Sequence, residues 1–250
     1  MRQARILGCR VDAVGADEAV RHIVTLAQGS GTSTVVTLGT EMVVAAQRDP
    51  TFREAINRSA LVLCDTIGVL AAVRLQGIVI PQRVTGIDLI DPLCAALASA
   101  HLPLFVLGGK DDTAERAAAT LRTRHPGLIV AGTHDGYFAP ADDEAVAREL
   151  SRSGARVVLA GLGSPRQERW LDARLKETGC AVGIGVGGSL DVLAGNVERA
   201  PARWRRLNLE WLYRLVREPQ RWRRQLALPI FVFLVLREYA GTRFARRSMV

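Results

Sequence analysis

The sequence predicts an α/β fold: a Rossmann-like, mostly parallel sheet with helices on both faces, followed by a basic helical appendage at the C-terminus. Up to about residue 195, short apolar runs alternate with amphipathic stretches, and two glycine-rich turns follow apolar runs late in this part. Beyond Pro201 the sequence becomes helical and rich in arginine and tryptophan. Apolar strands separated by amphipathic helices are typical of a parallel sheet that is covered on both sides. We therefore divide the chain into an α/β domain at 1–195 and an appendage at 196–250.

The apolar runs predict strands at 33–37, 60–64, 103–107, 128–132, 156–160 and 180–184. The amphipathic stretches predict helices near 16–28, 40–57, 67–76, 87–100, 112–124, 142–151 and 165–178. In the appendage we expect Pro219 and Pro229 to break the chain into short helices. The apolar run at 229–236 is too short to span a bilayer. Two placements stay open for it, in a membrane interface or on the core.

The net charge of +8 is unevenly distributed along the 250 residues. From Arg199 onward there are thirteen arginines and three glutamates, which gives +10, whereas the first 198 residues carry 20 basic and 22 acidic side chains. This asymmetry indicates an anionic partner for the C-terminal part: a membrane surface, nucleic acid or a phosphorylated substrate.

Cysteine usage and the N-terminus both predict a cytoplasmic protein. The four cysteines are widely scattered, so no disulfide framework or zinc site can be recognised. The first residues lack the apolar core of a signal peptide. The histidines show no metal-ligand spacing, and we expect neither a metal nor a cofactor.

The two glycine turns, Gly161–Trp170 and Gly183–Gly188, each follow an apolar run. A glycine turn between a strand and a helix places free backbone N–H groups at a helix N-terminus, which suits phosphate. Because the turns are close in sequence, we expect them to share one crevice at the carboxyl ends of parallel strands. The second turn also matches the dinucleotide fingerprint G-x-G-x-x-G, but that fingerprint belongs in a first βαβ unit, and here the sheet is nearly complete.

Polar residues follow other predicted strands at the same edge of the sheet. Asp65 ends its strand and, as an ionised aspartate, can accept a proton from a hydroxyl; the alternative is an N-cap of the next helix. Thr37 ends its own strand in the same way. Arg83 begins a polar insertion that ends at Asp88, and it can pair with a phosphate or with Asp65, although a plain turn is an equal alternative.

Arginines in the appendage recur at helical spacing. Arg214, Arg217, Arg221 and Arg224 are three or four residues apart, which places neighbours on one helix face. Such arginines can bind a diphosphate, and the alternative is a solvated basic face.

Together these segments resemble the WecG/TagA/CpsF family of glycosyltransferases over nearly the whole chain. The resemblance rests on Thr37, Asp65 with Gly68, 83–89, 107–109, 135–138, 161–170, 185–191, 194–195, 199–201, 210–214 and 218–221. It implies an inverting, metal-independent transfer of a sugar, typically N-acetylmannosamine or its uronic acid, from a UDP-sugar. The acceptor would be a polyprenyl-diphosphate-linked saccharide at the cytoplasmic face of the membrane.

The resemblance also implies roles for individual residues. Asp65 would be the general base, Thr37, Arg83 and Gln167 would line the sugar and acceptor pocket, and Asp191 would face the nucleotide-sugar. Asp88, Gly163 and Gly187 belong to the same expected substrate-binding set. The appendage would bring Arg214, Arg221 and Arg224 onto the diphosphate, because a departing UDP gains charge that a cation must stabilise in the absence of a metal.

Two positions depart from the family pattern. Gly39 stands where the family usually has Asn, and Thr66 follows Asp65 where it usually has Gly. The missing amide removes a hydrogen bond to the sugar, so the donor sugar stays open between N-acetylmannosamine and a related hexose.

Two other function classes deserve comparison with the transferase. A nucleic-acid-binding protein is disfavoured because 1–198 is nearly neutral and no recognition motif is present. A Rossmann oxidoreductase is disfavoured by the misplaced fingerprint. We therefore expect a peripheral enzyme on the inner face of the membrane, attached through its appendage, with its oligomeric state left open, a homo-oligomer included. A chain ending near Gly195 is expected to fold, stay soluble and lack transferase activity.

Overall fold

The centre of the molecule is a six-stranded sheet in which all strands are parallel. The structure is a computed structural model that describes residues 1–217, 222 and 226–247. The strands are β3 (Ser33–Leu38), β4 (Leu61–Cys64), β5 (Leu104–Gly108), β6 (Val130–His134), β7 (Val157–Gly161) and β8 (Val182–Gly185). Their order across the sheet is β4-β3-β8-β7-β5-β6. Each predicted strand is therefore confirmed to within two residues at either end.

The connecting segments are mostly helical, as predicted. The helices of this part are α1 (Ala16–Gln28), α2 (Thr40–Ala45), α3 (Pro50–Arg58), α4 (Ile67–Leu75), α5 (Gly86–Ser99), α6 (Thr113–Arg124), α7 (Asp143–Ser153), α8 (Arg166–Arg174) and α9 (Ser189–Leu193). Short 3₁₀ turns lie at Pro140–Asp142 and Leu175–Thr178. The single helix expected at 40–57 is instead two helices. The first ends at Ala45, and Asp49 caps the second by accepting a 2.9 Å hydrogen bond from Phe52 N, while Pro50 occupies the first turn of that second helix.

Both faces of the sheet are buried, which explains why its strands are apolar without alternation. Along β4, Leu61 and Leu63 enter one core with α1, α5, α6 and α9, whereas Val62 and Cys64 enter the core on the opposite face. The prediction of helices on both faces is thus confirmed. The carboxyl ends of the strands remain as the open edge where polar side chains can gather.

An N-terminal hairpin, which the sequence analysis missed, covers one edge of the sheet. Its strands β1 (Gln3–Ile6) and β2 (Cys9–Asp12) pair antiparallel. The buried carboxylate of Asp12 accepts a 2.8 Å hydrogen bond from Val62 N on the edge strand β4. The Val62 N–H, which could otherwise pair with a further strand at this edge, is therefore hydrogen-bonded within the chain.

The C-terminal part contains α10 (Ala202–Arg206), α11 (Glu210–Arg217) and α12 (Ala227–Arg247). The expectation that Pro229 breaks a helix is wrong, because this proline lies in the first turn of the 21-residue α12, where no N–H is needed. Pro219 lies outside the described residues.

The apolar run at 229–236 has two different faces on α12. Phe231 and Val235 are buried in the core with α2 and α4. Phe233, two residues from the buried phenylalanine, is 63% exposed, and Val232 and Leu236 are also exposed. The placement on the core is therefore confirmed for one side of the helix, and the placement in a membrane interface stays a prediction for the exposed side. Among the described helices, none combines the length and hydropathy needed to cross a bilayer.

Candidate active site

A cleft of about 270 Å³ opens at the carboxyl ends of β3, β4, β7 and β8. Both glycine turns contribute to its wall, which confirms that they share one crevice. Of the residues predicted from the sequence, six line the cleft: Thr37, Asp65, Arg83, Gly163, Gln167 and Gly187. The crevice thus lies where an open parallel sheet places its ligands.

Asp65 follows β4 directly and lies on the cleft wall. Its backbone N–H donates to Leu38 O at 3.2 Å, so the end of β3 fixes its position. The N-cap of α4 is the next residue, Thr66, which removes the alternative of Asp65 as a helix cap. Burial, and secondarily the Asp65 carboxylate, raise the pKa of the preceding Cys64 thiol to about 12. Cys64 is therefore a thiol at neutral pH and not a nucleophile.

Arg83 connects the sheet to the C-terminal part of the chain. Its Nη1 donates to the backbone oxygen of Asp65 at 3.3 Å, and its Nε donates to Asn208 Oδ1 at 2.8 Å. The neighbouring Val84 N donates to Cys64 O, which holds the insertion against the end of β4. Arg83 therefore does meet Asp65, at the backbone carbonyl, and its guanidinium has further N–H groups for a substrate.

Thr37 and Gln167 reach the end of β8 from opposite sides. The Thr37 hydroxyl donates to Gly185 O at 2.9 Å. From α8, Gln167 Oε1 accepts from Gly187 N at 3.1 Å, while Gln167 Nε2 donates to Glu168 Oε1 at 2.7 Å. Since Gly163 and Gly187 have positive φ angles of 76° and 52°, the two turns that carry these contacts favour glycine.

Several helices begin at the cleft without a side-chain cap among the described residues. Their N-cap positions are Gly39 for α2, Thr66 for α4, Pro165 for α8 and Gly188 for α9. By contrast, Thr85 caps α5 by accepting from Asp88 N at 3.1 Å. Uncapped N-termini carry partial positive charge and free N–H groups, which together favour an anionic ligand.

Asp88 and Asp191, also expected at the site, do not line the cleft in the described part of the chain. Asp88 accepts from the Thr85 hydroxyl at 2.7 Å and is paired with Arg199. Burial acts to raise the pKa of Asp88, but Thr85 and Arg199 outweigh it, and the net pKa is lowered. Asp191 Oδ1 accepts from Asn196 Nδ2 at 3.3 Å. Their predicted contacts with substrate stay predictions.

Of the three arginines expected on a diphosphate, only Arg214 lies in the part of the chain that the structure describes. Arg214 lies in α11, about one helical turn beyond the cleft residues Glu210 and Trp211. Arg221 and Arg224 lie outside the described residues. Their role on the diphosphate stays a prediction.

The cleft also contains residues that the sequence analysis did not assign. Asn208, Glu210, Trp211 and Leu228 come from the C-terminal part, and Glu41 comes from the first turn of α2. The available signal for Glu210 was the segment 210–214, which the family resemblance included without a role for this residue; in the structure Glu210 is 9% exposed. Asn208 could not be found from the sequence in this way. Its backbone has a positive φ angle of 59°, and the sequence does not reveal that conformation at a non-glycine residue.

Acidic and sulfur side chains do not converge as metal ligands here. Within 1–217, 222 and 226–247, no group of three or more His, Cys, Asp or Glu side chains is placed to hold a metal ion. The polar groups that the cleft offers include carboxylates, the Arg83 guanidinium, side-chain amides, hydroxyls and backbone N–H groups. This set can take a proton from a hydroxyl and stabilise developing negative charge.

Comparison with known proteins places this chain among glycosyl transferases. The N-acetylglucosaminyldiphosphoundecaprenol N-acetyl-beta-D-mannosaminyltransferase of Bacillus subtilis (strain 168) is 34% identical to this chain over 204 residues, which are 82% of this chain and 79% of that protein. Residues 4–245 match the glycosyl transferase family WecG/TagA/CpsF. The resemblance inferred from the motifs is thereby confirmed, and the chain belongs to the WecG/TagA/CpsF family of glycosyl transferases.

Proposed function

We propose that this glycosyltransferase moves an N-acetylmannosamine-type or related hexose from a UDP-sugar to a polyprenyl-diphosphate-linked saccharide at the inner face of the membrane. The observation that carries this proposal is the position of Asp65, in one cleft with Arg83 and both glycine turns. The name of the Bacillus subtilis relative supports the acceptor class, since it specifies an N-acetylglucosaminyl group on diphosphoundecaprenol.

The role of Asp65 is to take the proton from the attacking hydroxyl of the acceptor. The carboxylate follows a buried strand, and its backbone is fixed by Leu38 O and Arg83 Nη1. Because a base must stay within hydrogen-bond reach of the proton, this fixed backbone favours general base catalysis. A direct attack on the anomeric carbon with departure of UDP inverts that centre.

The departing diphosphate gains negative charge and needs stabilisation as the bond to the sugar breaks. Arg83 and the uncapped helix N-termini around the cleft supply positive potential from the sheet side. Arg214, Arg221 and Arg224 would add guanidinium groups from the C-terminal side. Transfer by this arrangement requires no metal ion.

Attachment to the membrane would use the C-terminal part. Thirteen arginines follow residue 198, and α12 exposes Ile230, Val232, Phe233 and Leu236. Basic charge together with an exposed apolar helix face is the combination that binds anionic interfaces. Since Leu228 at the start of α12 lines the cleft, attachment would bring the acceptor lipid close to the site.

The donor sugar depends on the pair Gly39 and Thr66. A Cβ atom at position 39 would lie 3.4 Å from Thr66 Cγ2, so the threonine methyl already occupies the space next to Gly39. Thr66 Oγ1 is buried and has no hydrogen-bond partner among the described residues. This part of the cleft is therefore less polar than one with an amide side chain at position 39.

A donor screen tests the proposed function. Purified enzyme is incubated with UDP-N-acetylmannosamine and with UDP-glucose, UDP-galactose and their N-acetyl derivatives, each with a synthetic prenyl-diphosphate-linked N-acetylglucosamine. We expect one donor to give a lipid-linked disaccharide, and the same reaction with Asp65→Asn to give almost none. Absence of product with every UDP-sugar and this acceptor would contradict the proposed donor or acceptor.

A further inference from the structure

Glu168 is a buried acid beside the cleft that the proposed mechanism does not use. It is 4% exposed, and its Oε2 has no hydrogen-bond partner among the described residues. Burial raises the pKa of Glu168, the hydrogen bond from Gln167 and the nearby Ser164 hydroxyl oppose this change, and the charge of Glu41 adds to it. A carboxylate in such surroundings is costly for the fold, so its contact with Gln167 needs an explanation.

The explanation lies in the two partners of the Gln167 amide. Gly187 N is a backbone donor, so it requires the amide oxygen, and Glu168 Oε1 accepts a hydrogen bond, so it requires the amide nitrogen. With both partners present, only one of the two amide orientations satisfies them. In that orientation the amide nitrogen retains one further N–H, and Gln167 lines the cleft.

The backbone of β8 provides room for this pair. A Cβ atom at Gly185 would lie 2.7 Å from Gln167 Nε2 and 3.1 Å from Glu168 Oε1. The pair therefore rests directly on the end of β8, where Gly185 O also accepts from Thr37. Glycine is needed here for a close approach and not for its φ angle.

We propose that Glu168 is a positioning residue that fixes the amide orientation of Gln167, so that Gln167 holds the Gly187 turn with its oxygen and offers an N–H to an oxygen atom of the substrate. This proposal deepens the proposed function, on which its substrate part rests. The substrate group recognised is an acceptor of hydrogen bonds, such as a sugar or phosphate oxygen. Glu168 itself touches no reacting atom.

The test uses two variants of the full-length enzyme. In Glu168→Gln the side chain keeps its size, but a neutral amide can present either oxygen or nitrogen to Gln167, so only the Gly187 N–H still favours the native orientation. In the exchanged double variant Gln167→Glu with Glu168→Gln, the new carboxylate accepts from Gly187 N and from the new amide at 168. The double variant therefore restores the hydrogen-bonded pair but has no N–H at position 167.

Hydrogen exchange of the Gly187 amide, followed by NMR, tests the orientation without any substrate. We expect faster exchange in Glu168→Gln and protection close to wild type in the exchanged variant. Relief of the buried charge offsets the weaker hydrogen bond, so the Tm of Glu168→Gln should stay within a few degrees of wild type. Unchanged Gly187 exchange in Glu168→Gln would overturn the orientation role.

Steady-state kinetics test the substrate contact. We expect Glu168→Gln to lower kcat/KM for the donor by about 10- to 100-fold, mainly through KM, because the N–H binds substrate and transition state alike. The exchanged variant should be at least as impaired, although its Gly187 amide is protected. Wild-type kinetics in either variant would overturn the proposal. A wild-type enzyme that is inactive with every UDP-sugar contradicts the proposed donor instead, and the exchange measurement still decides the orientation.

Discussion

The two walls of the cleft are built in different ways. The wall at the strand ends carries Asp65, which directly follows β4, and Thr37 on β3, and the apolar residues of both strands are almost completely buried. The opposite wall carries Asn208, Glu210 and Trp211 from the C-terminal part, where α10 has no buried residue in the described structure. One wall is therefore part of the core, and the other is laid against it.

The difference indicates a division of labour between the two walls. A base needs a fixed position, and a buried parallel sheet supplies it. A site that meets a lipid-linked acceptor needs an accessible, basic surface, which the C-terminal part supplies. The hydrogen bond from Arg83 to Asn208 joins the walls, and Phe231 and Val235 of α12 anchor the second wall in the core.

Removing the second wall should have the largest effect. We expect a chain that ends at Gly195 to lose transferase activity completely, because Asn208, Glu210 and Trp211 no longer close the cleft. It should also ignore anionic liposomes in a flotation assay. The structure adds that the truncation uncovers apolar surface of α2 and α4, so the fragment should be less stable and less soluble than the sequence alone suggested. Full turnover by this fragment would contradict a role of the C-terminal part in the active site and would leave it only a role in membrane attachment.

Removing the base from the first wall should have the next largest effect. Asp65→Asn keeps the shape of the side chain but cannot take a proton, so turnover should fall about 10²- to 10⁴-fold. UDP binding, measured by calorimetry, should stay nearly unchanged. Asp88→Asn and Asp191→Asn, measured alongside, should have much smaller effects, because neither residue lines the cleft. Near-normal turnover of Asp65→Asn would transfer the base role to one of them.

Two phenylalanines on α12 provide a matched pair that separates anchoring in the core from attachment to the membrane. Phe231 is 2% exposed, so Phe231→Ala should lower the free energy of unfolding by about 3–5 kcal/mol. Phe233 is 63% exposed, so Phe233→Ala should leave the Tm almost unchanged and weaken binding to anionic liposomes. Equal liposome binding by Phe233→Ala and wild type would argue against this face as the membrane contact.

Chelation should have the smallest effect. If Arg83 and the helix N-termini stabilise the departing diphosphate together with the arginines of the C-terminal part, activity should survive excess EDTA. The control is the same assay with added Mg²⁺ or Mn²⁺, which should not increase the rate. Complete loss with EDTA that a metal restores would contradict the arginine account.

Much of the first wall could be predicted because its signals are local. Each strand of the sheet is an apolar run, and the residue that ends a parallel strand lies at the open edge whatever the rest of the chain does. Asp65, Thr37 and the two glycine turns were found in this way. The hairpin at 3–12 was missed because its strands, QARI and CRVD, mix charged and apolar residues and are therefore not apolar runs, and no turn signal other than Gly8 marks it.

The second wall could not be predicted to the same extent. Its residues acquire their roles through contacts between distant parts of the chain, such as Arg83 with Asn208, which are 125 positions apart. Asp88 likewise pairs with Arg199, which is 111 positions away in the chain. The periodicity of a short segment contains no information about such distant partners.

The sequence by itself therefore determined the parallel α/β sheet and the cleft edge that carries Asp65, because strand periodicity and strand ends depend on neighbouring residues. The family followed from the resemblance of its motifs. Only the tertiary structure decided that α12 inserts Phe231 into the core while it exposes Phe233, and that Glu168 and Gly187 hold Gln167 between them. Such choices depend on which surfaces and polar groups meet after folding, when buried donors must find acceptors and apolar faces must find cover.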